Sequence, residues 1–156
     1  QSRSSAASDV YKRQWLESSS IASWVSLSLW AYPALLTFHI VGLALVVGLY
    51  AVRDFRLIGF FSGPNISLLE GTSSLSSFGI AINLVSGFLL FSSQATFLIS
   101  SIPFLIKISC IVSGLVCSGF IRARQKNGLS MPRYYPISSL LFWTTAIISG
   151  RLIAYF

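Results

Sequence analysis

The sequence predicts an all-α fold, a transmembrane four-helix bundle with a short N-terminal interfacial helix. Three observations carry this. Apolar residues make up 54 % of the chain and charged residues only 10 %, against about 25 % charged in a soluble domain. No formal charge falls between Ser18 and Val52, or between Gly71 and Ile106. Pro33, Pro103 and Pro136 stand where apolar runs begin, and proline is tolerated in a first helical turn, where its missing N–H costs nothing. A length of 156 residues allows one domain.

At the front, "SSAASDVYKRQ", Ser4 to Gln14, spells the in-frame translation of a transposon-based sequencing adaptor. Residues 1–14 are therefore set aside as an adaptor artefact, and 15–156 are read as a single transmembrane domain. "WLESSSIASWVSLSLW", Trp15 to Trp30, mixes aromatics with serines and suits a helix lying in the outer interface. The first span is Pro33–Val52. "GPNISLLEGTSSLSS", 63–77, reads as a second short amphipathic helix on the inner side.

A bilayer core takes about 20 helical residues. The uncharged run Gly71–Ile106 is too long for one crossing. It holds two, Ser76–Phe97 and Pro103–Ile121, turning at "SSIP". The fourth span is Pro136–Tyr155.

Small residues recur at spacing four: Ala44 and Gly48; Gly79, Asn83 and Gly87; Cys110, Gly114 and Ser118; Ala146, Gly150 and Ala154. Helices in lipid pack closely at such residues. A dimer interface is the alternative use of one of these faces. Cys110 and Cys117, seven apart on one helix, stand about 10 Å from each other. That exceeds the roughly 7 Å a disulfide allows between Cα atoms, so both read as packing thiols.

Orientation follows from the basic residues. Arg53, Arg56, Arg122, Arg124, Lys126 and Arg133 fall in loops 53–75 and 122–135, which share one side when there are four crossings. Lys/Arg excess marks the cytoplasmic face, so both termini are placed outside. The net charge of +7 thus reads as membrane topology and not as a nucleic-acid surface.

Ionisable groups inside a span are costly and need a reason. His39 lies about 9 Å in from the outer edge and Lys107 about 6 Å. Arg151 and Gln94 lie at similar outer positions. If these four face inward, two cations converge with Glu17 as the only acid on that side, and an anionic group is missing. The bland readings stand beside this one: Lys107 and Arg151 snorkel to headgroups, Gln94 caps a helix end, and His39 donates to a carbonyl or hydroxyl of another helix. On the inner side, Asp54 is read as a structural ion pair with Arg53, Arg56 or Arg122.

The stretches "SLWAYPALLTFHIVGLALVVG", "RDFRLIG", "SGFLLF", "FLIKI" and "SGRLIAYF" resemble an uncharacterised bacterial family of small four-span integral membrane proteins, a domain of unknown function. Its motifs are H-x-x-G, D-x-R-L-x-G and a terminal G-R-L-I-A-Y-F. The resemblance runs from about Trp15 to Phe156. It implies residence in the bacterial inner membrane, an intact ending and a few missing N-terminal residues, and it carries no activity. One departure stands out: members have a histidine near the end of the third span, where this chain reads "CSGFIRAR".

Function classes are ranked accordingly. First comes a non-enzymatic membrane protein with a small-ligand or anionic-lipid site at His39, Lys107, Arg151 and Gln94, and with no cofactor or metal. Second comes a redox subunit with haem b on His39. Low-spin haem sites use two axial ligands, and one histidine per chain would require a homodimer. Third comes transport of a small solute or metal, poorly served by a chain lacking a thiolate or acidic pair. Hydrolysis ranks lower still, since Asp54 and His39 fall on opposite sides and no Ser/His/Asp set shares one compartment. The lipid bilayer is the predicted partner, a homodimer the alternative, and nucleic acid is excluded.

Overall fold

The computed structural model describes residues 11, 14, 17–60 and 67–155, the backbone alone for 67–73. Most of the adaptor-like stretch lies outside them. The described residues form helices without any strand: α1 Ser20–Leu27, α2 Ala31–Ile58, α3 Ser67–Ser93, α4 Ala95–Ser100, α5 Ile102–Lys126 and α6 Tyr134–Leu152.

Local chemistry sets the helix ends. The Ser19 hydroxyl accepts from the Ala22 N–H at 3.2 Å and caps α1, satisfying one of the N–H groups a helix start leaves open. Ser28 does the same for α2 through the Ala31 N–H at 3.3 Å. At the other end of α2, Gly59 takes φ +93°. Its N–H donates to Arg56 O, and the Phe60 N–H reaches back to Phe55 O. This is a Schellman cap, and the Phe55 and Phe60 rings close it at 5.8 Å. Gly128, φ +64°, ends α5 in the same way through Gly128 N to Gln125 O and Leu129 N to Arg124 O.

Several of the expected boundaries move: the second span stops at Ser93 and not at Phe97, and the third continues past Ile121 to Lys126, which puts Arg122, Arg124 and Lys126 on α5 and not in a loop. The first span runs past Val52 to Ile58, because the helix stops at its left-handed glycine and not at its first charge. The second short helix expected within 63–77 is absent from 67 onward, where α3 is continuous into the apolar run; residues 63–66 lie outside the description. The chain breaks at Gln94. There Ser92 and Ser93 hydroxyls fold back onto Leu89 O and Leu90 O, the Gln94 N–H tightens onto Phe91 O, and α4 restarts with the Thr96 N–H on Glu17 Oε1 at 2.7 Å. Ser101 begins α5, with Pro103 in its first turn.

Packing divides the described chain into two units. One gathers the described residues of Gln1–Ala44 with Phe78–Ser100, and holds α1, the start of α2, most of α3 and α4. The other gathers those of Leu45–Ser77 with Ser101–Phe156, and holds the end of α2, the start of α3, and α5 with α6. In the second unit α5 and α6 are antiparallel neighbours. Lys107 meets Gly150 and Gly114 meets Trp143, so the register runs in opposite directions along the two helices.

The distribution of burial is inverted relative to a water-soluble protein. Asp54 and Ser139 are 0 % exposed, while Phe38 is 60 %, Leu84 69 % and Leu141 62 % exposed. Along α6 the buried side chains are Pro136, Ser139, Trp143, Ala146 and Ser149, a single helical stripe half made of small or polar residues. Large apolar faces turned outward, with small and polar faces turned inward, suit a lipid solvent. Among the described residues, three helices are long and apolar enough to cross a membrane: Ala31–Ile58, Ser74–Ser93 and Ile102–Lys126. With 19 residues, α6 measures about 28 Å, close to the roughly 30 Å hydrocarbon core. Its run is diluted by Ser138, Ser139, Thr144, Thr145, Ser149 and Arg151. Three of the four expected crossings are therefore carried by both length and composition, and the fourth by length alone.

Candidate functional sites

In the first unit, His39 sits on α2 opposite Ser86 and Gly87 of α3. Its Nδ1 stands 3.0 Å from Ser86 Oγ. The Ser86 hydroxyl has one hydrogen, and that hydrogen is directed to Ile82 O at 2.6 Å. Ser86 Oγ therefore accepts, and His39 Nδ1 carries a proton and donates. Gly87 is what lets the ring approach, since a Cβ there would meet His39 Cε1 at 3.1 Å. One turn further along α2, Gly42 approaches Asn83 in the same way, with a notional Cβ 2.8 Å from Asn83 Nδ2. Asn83 in turn donates to Gly79 O at 3.1 Å. The close approach on α2 is thus at Gly42, while Gly48, which the spacing had singled out, has nothing within 4 Å of a notional Cβ. Gln94 is exposed at the α3–α4 break of this same unit.

In the second unit, Lys107 is half-buried near the start of α5. Its stem lies along α6 at Gly150, whose notional Cβ would meet Lys107 Cδ, Cε and Nζ at 3.4 to 3.5 Å. A Cβ there would touch the stem at ordinary van der Waals distance, so the lysine lies directly along the backbone of α6. Arg151 is exposed at the next residue, its guanidinium 5.8 Å from the Tyr155 ring. These two cations share the end of the α5–α6 hairpin opposite the 127–133 connection. No acidic side chain pairs with Lys107 among the described residues.

The second unit also buries an ion pair. Arg53 Nε donates to Asp54 Oδ1 at 2.8 Å, and Arg53 NH2 lies 2.7 Å from the same oxygen. The guanidinium is anchored further by Ser118 Oγ at 3.1 Å and lies 4.8 Å from the Tyr50 ring centroid. Tyr50 stacks on Trp143 at 5.4 Å, and Trp143 fills the space that Gly114 leaves on α5. Cys117 donates to Tyr135 O at 3.3 Å beside this cluster. Asp54 is thus paired with its immediate neighbour, on a carboxylate fully withdrawn from the surface. Of the other two partners considered from sequence, Arg56 is half-buried two residues further along α2 and Arg122 is exposed on α5, and the ion pair is made with Arg53.

Sequence reasoning singled out Arg53 and Asp54 but missed Ser118, Ser139, Tyr50 and Trp143 around them. The signal was present: Trp143 is the one tryptophan of the chain placed mid-span, and Ser118 and Ser139 are polar interruptions of apolar runs. What could not be read was which helix faces meet. Among the described residues, no group of three His, Cys, Asp or Glu side chains stands together as a metal-binding set. No family model, curated protein or solved structure matches this chain.

Proposed function

We propose that this is a non-enzymatic, multi-pass protein of the bacterial cytoplasmic membrane that holds an anionic group at the Lys107–Arg151 end of its α5–α6 hairpin. α6 serves as the fourth crossing, the basic ends of α2 and α5 lie in the cytoplasm, and both termini lie outside. The observation that carries the anion reading is Lys107: a half-buried ammonium laid against Gly150 with no acidic partner among the described residues. A buried cation without a counter-charge is expensive, and a headgroup phosphate or a small carboxylate arriving from the outer leaflet supplies one. Arg151, at the neighbouring position on α6, adds a planar donor suited to phosphate. His39 takes a different part in this reading, pinning α2 to α3 through Ser86.

Native mass spectrometry of protein extracted in mild detergent tests this. Wild type should carry anionic phospholipid that Lys107→Met with Arg151→Met loses, while zwitterionic adducts persist. Equal anionic adducts on both proteins would defeat the proposal.

A further inference from the structure

The Arg53–Asp54 pair uses only half of the carboxylate. Both guanidinium contacts fall on Oδ1, and Oδ2 is buried with no hydrogen-bond partner among the described residues. The Ser139 hydroxyl adjoins this carboxylate, yet Ser139 Oγ is also buried and makes no hydrogen bond there. One turn along the same stripe of α6, Trp143 Nε1 is a third buried polar atom without a partner. All three residues are more than nine-tenths buried.

These atoms fall in two adjoining layers of the second unit. Asp54, Cys117 and Ser139 make one; Tyr50, Gly114 and Trp143 make the other. Each of α2, α5 and α6 contributes to both, three or four residues apart. The three atoms are complementary in kind: Oδ2 accepts, the indole N–H donates, and the hydroxyl does either. The cluster is also neutral, because Arg53 cancels Asp54, so neither a cation nor an anion is drawn to it. The ligand that fits is small, uncharged and able both to donate and to accept.

We propose that Asp54, Ser139 and Trp143 hold internal water, one molecule or a short file, between α2, α5 and α6. A buried water typically makes about three hydrogen bonds to groups otherwise left unpaired, and the two adjoining layers together hold three such groups. The consequence concerns depth. Trp143 is central in α6, about 13 Å from either end at the helical rise, so bulk water does not reach its indole. A hydrated Trp143 therefore means a wet path running inward from the Arg53–Asp54 end.

The test is nuclear magnetic resonance of tryptophan-labelled protein in phospholipid nanodiscs. The Trp143 indole signal is assigned by its loss in Trp143→Phe. Wild type should show a magnetisation-transfer cross-peak from water to that indole, and Ser139→Val should weaken it severalfold. If Ser139→Val does not fold, Asp54→Asn, which turns part of the acceptor surface into a donor, should weaken it likewise. A Trp143 indole silent to water, or a cross-peak untouched by a folded variant, would overturn the site.

Discussion

Replacing Arg53 by methionine removes a charged side chain that is 10 % exposed and strips the counter-charge from an Asp54 side chain that is 0 % exposed. It also releases the Ser118 hydroxyl and uncovers the Tyr50 ring face. Breaking a buried pair at one partner costs about 3–5 kcal/mol, because the remaining charge stays desolvated and alone. Arg53→Met should therefore lose about that much stability. Removing both charges together, as Arg53→Met with Asp54→Leu, should recover most of the loss, since an apolar pair of similar volume is often neutral or better. Equilibrium unfolding by SDS in mixed micelles, run on wild type, both single variants and the double, gives the coupling. A loss under about 1 kcal/mol for Arg53→Met is what an exposed pair would show. That outcome would refute the buried-pair reasoning and place Asp54 in contact with solvent.

Three more outcomes follow from the helix contacts. Gly42→Ala drives a methyl to 2.8 Å from Asn83 Nδ2 and should cost about 1–3 kcal/mol by overpacking in the same titration. Gly48→Ala, with open space around it, should be neutral or gain up to about 1 kcal/mol from helix propensity; the reverse order would contradict the α2 packing face. Ser86→Ala removes the acceptor of the His39 bond and should cost about 0.6 kcal/mol, a usual value for one interhelical hydrogen bond in a bilayer. It should also move the imidazole Nδ1 resonance, and an unmoved resonance would separate His39 from Ser86.

The legible part of this fold is the part fixed by composition. Uncharged runs and their prolines located the helices, because a lipid solvent tolerates few charges and because proline suits a first turn. Helix ends were less legible. Arg53 and Asp54 looked like the start of a loop, since each is costly in lipid alone; as an adjacent pair they satisfy each other inside α2, and Gly59 provides the stop. The 67–77 segment looked like a separate amphipathic piece because serines interrupt it, yet serine costs a helix only a few tenths of a kcal/mol more than the best formers, and α3 runs through it without a break. At the candidate sites, sequence identified the residue types but not their neighbours. Lys107 and Arg151 were read near one end of their spans, and α5 and α6 place them at one hairpin end. His39 and Gln94 belong to the other packing unit. Gly87 became meaningful only with the imidazole that it admits.

The central claim is that the chain crosses the membrane four times with its Arg53–Asp54 end in the cytoplasm. Single cysteines placed at Ser130, in the α5–α6 connection, and at Ala154, past α6, in a variant lacking Cys110 and Cys117, test it through a membrane-impermeant maleimide applied to whole spheroplasts. The account predicts labelling at position 154 and protection at 130 until the membrane is opened. Labelling at 130 with protection at 154, or the same result at both positions, would contradict it.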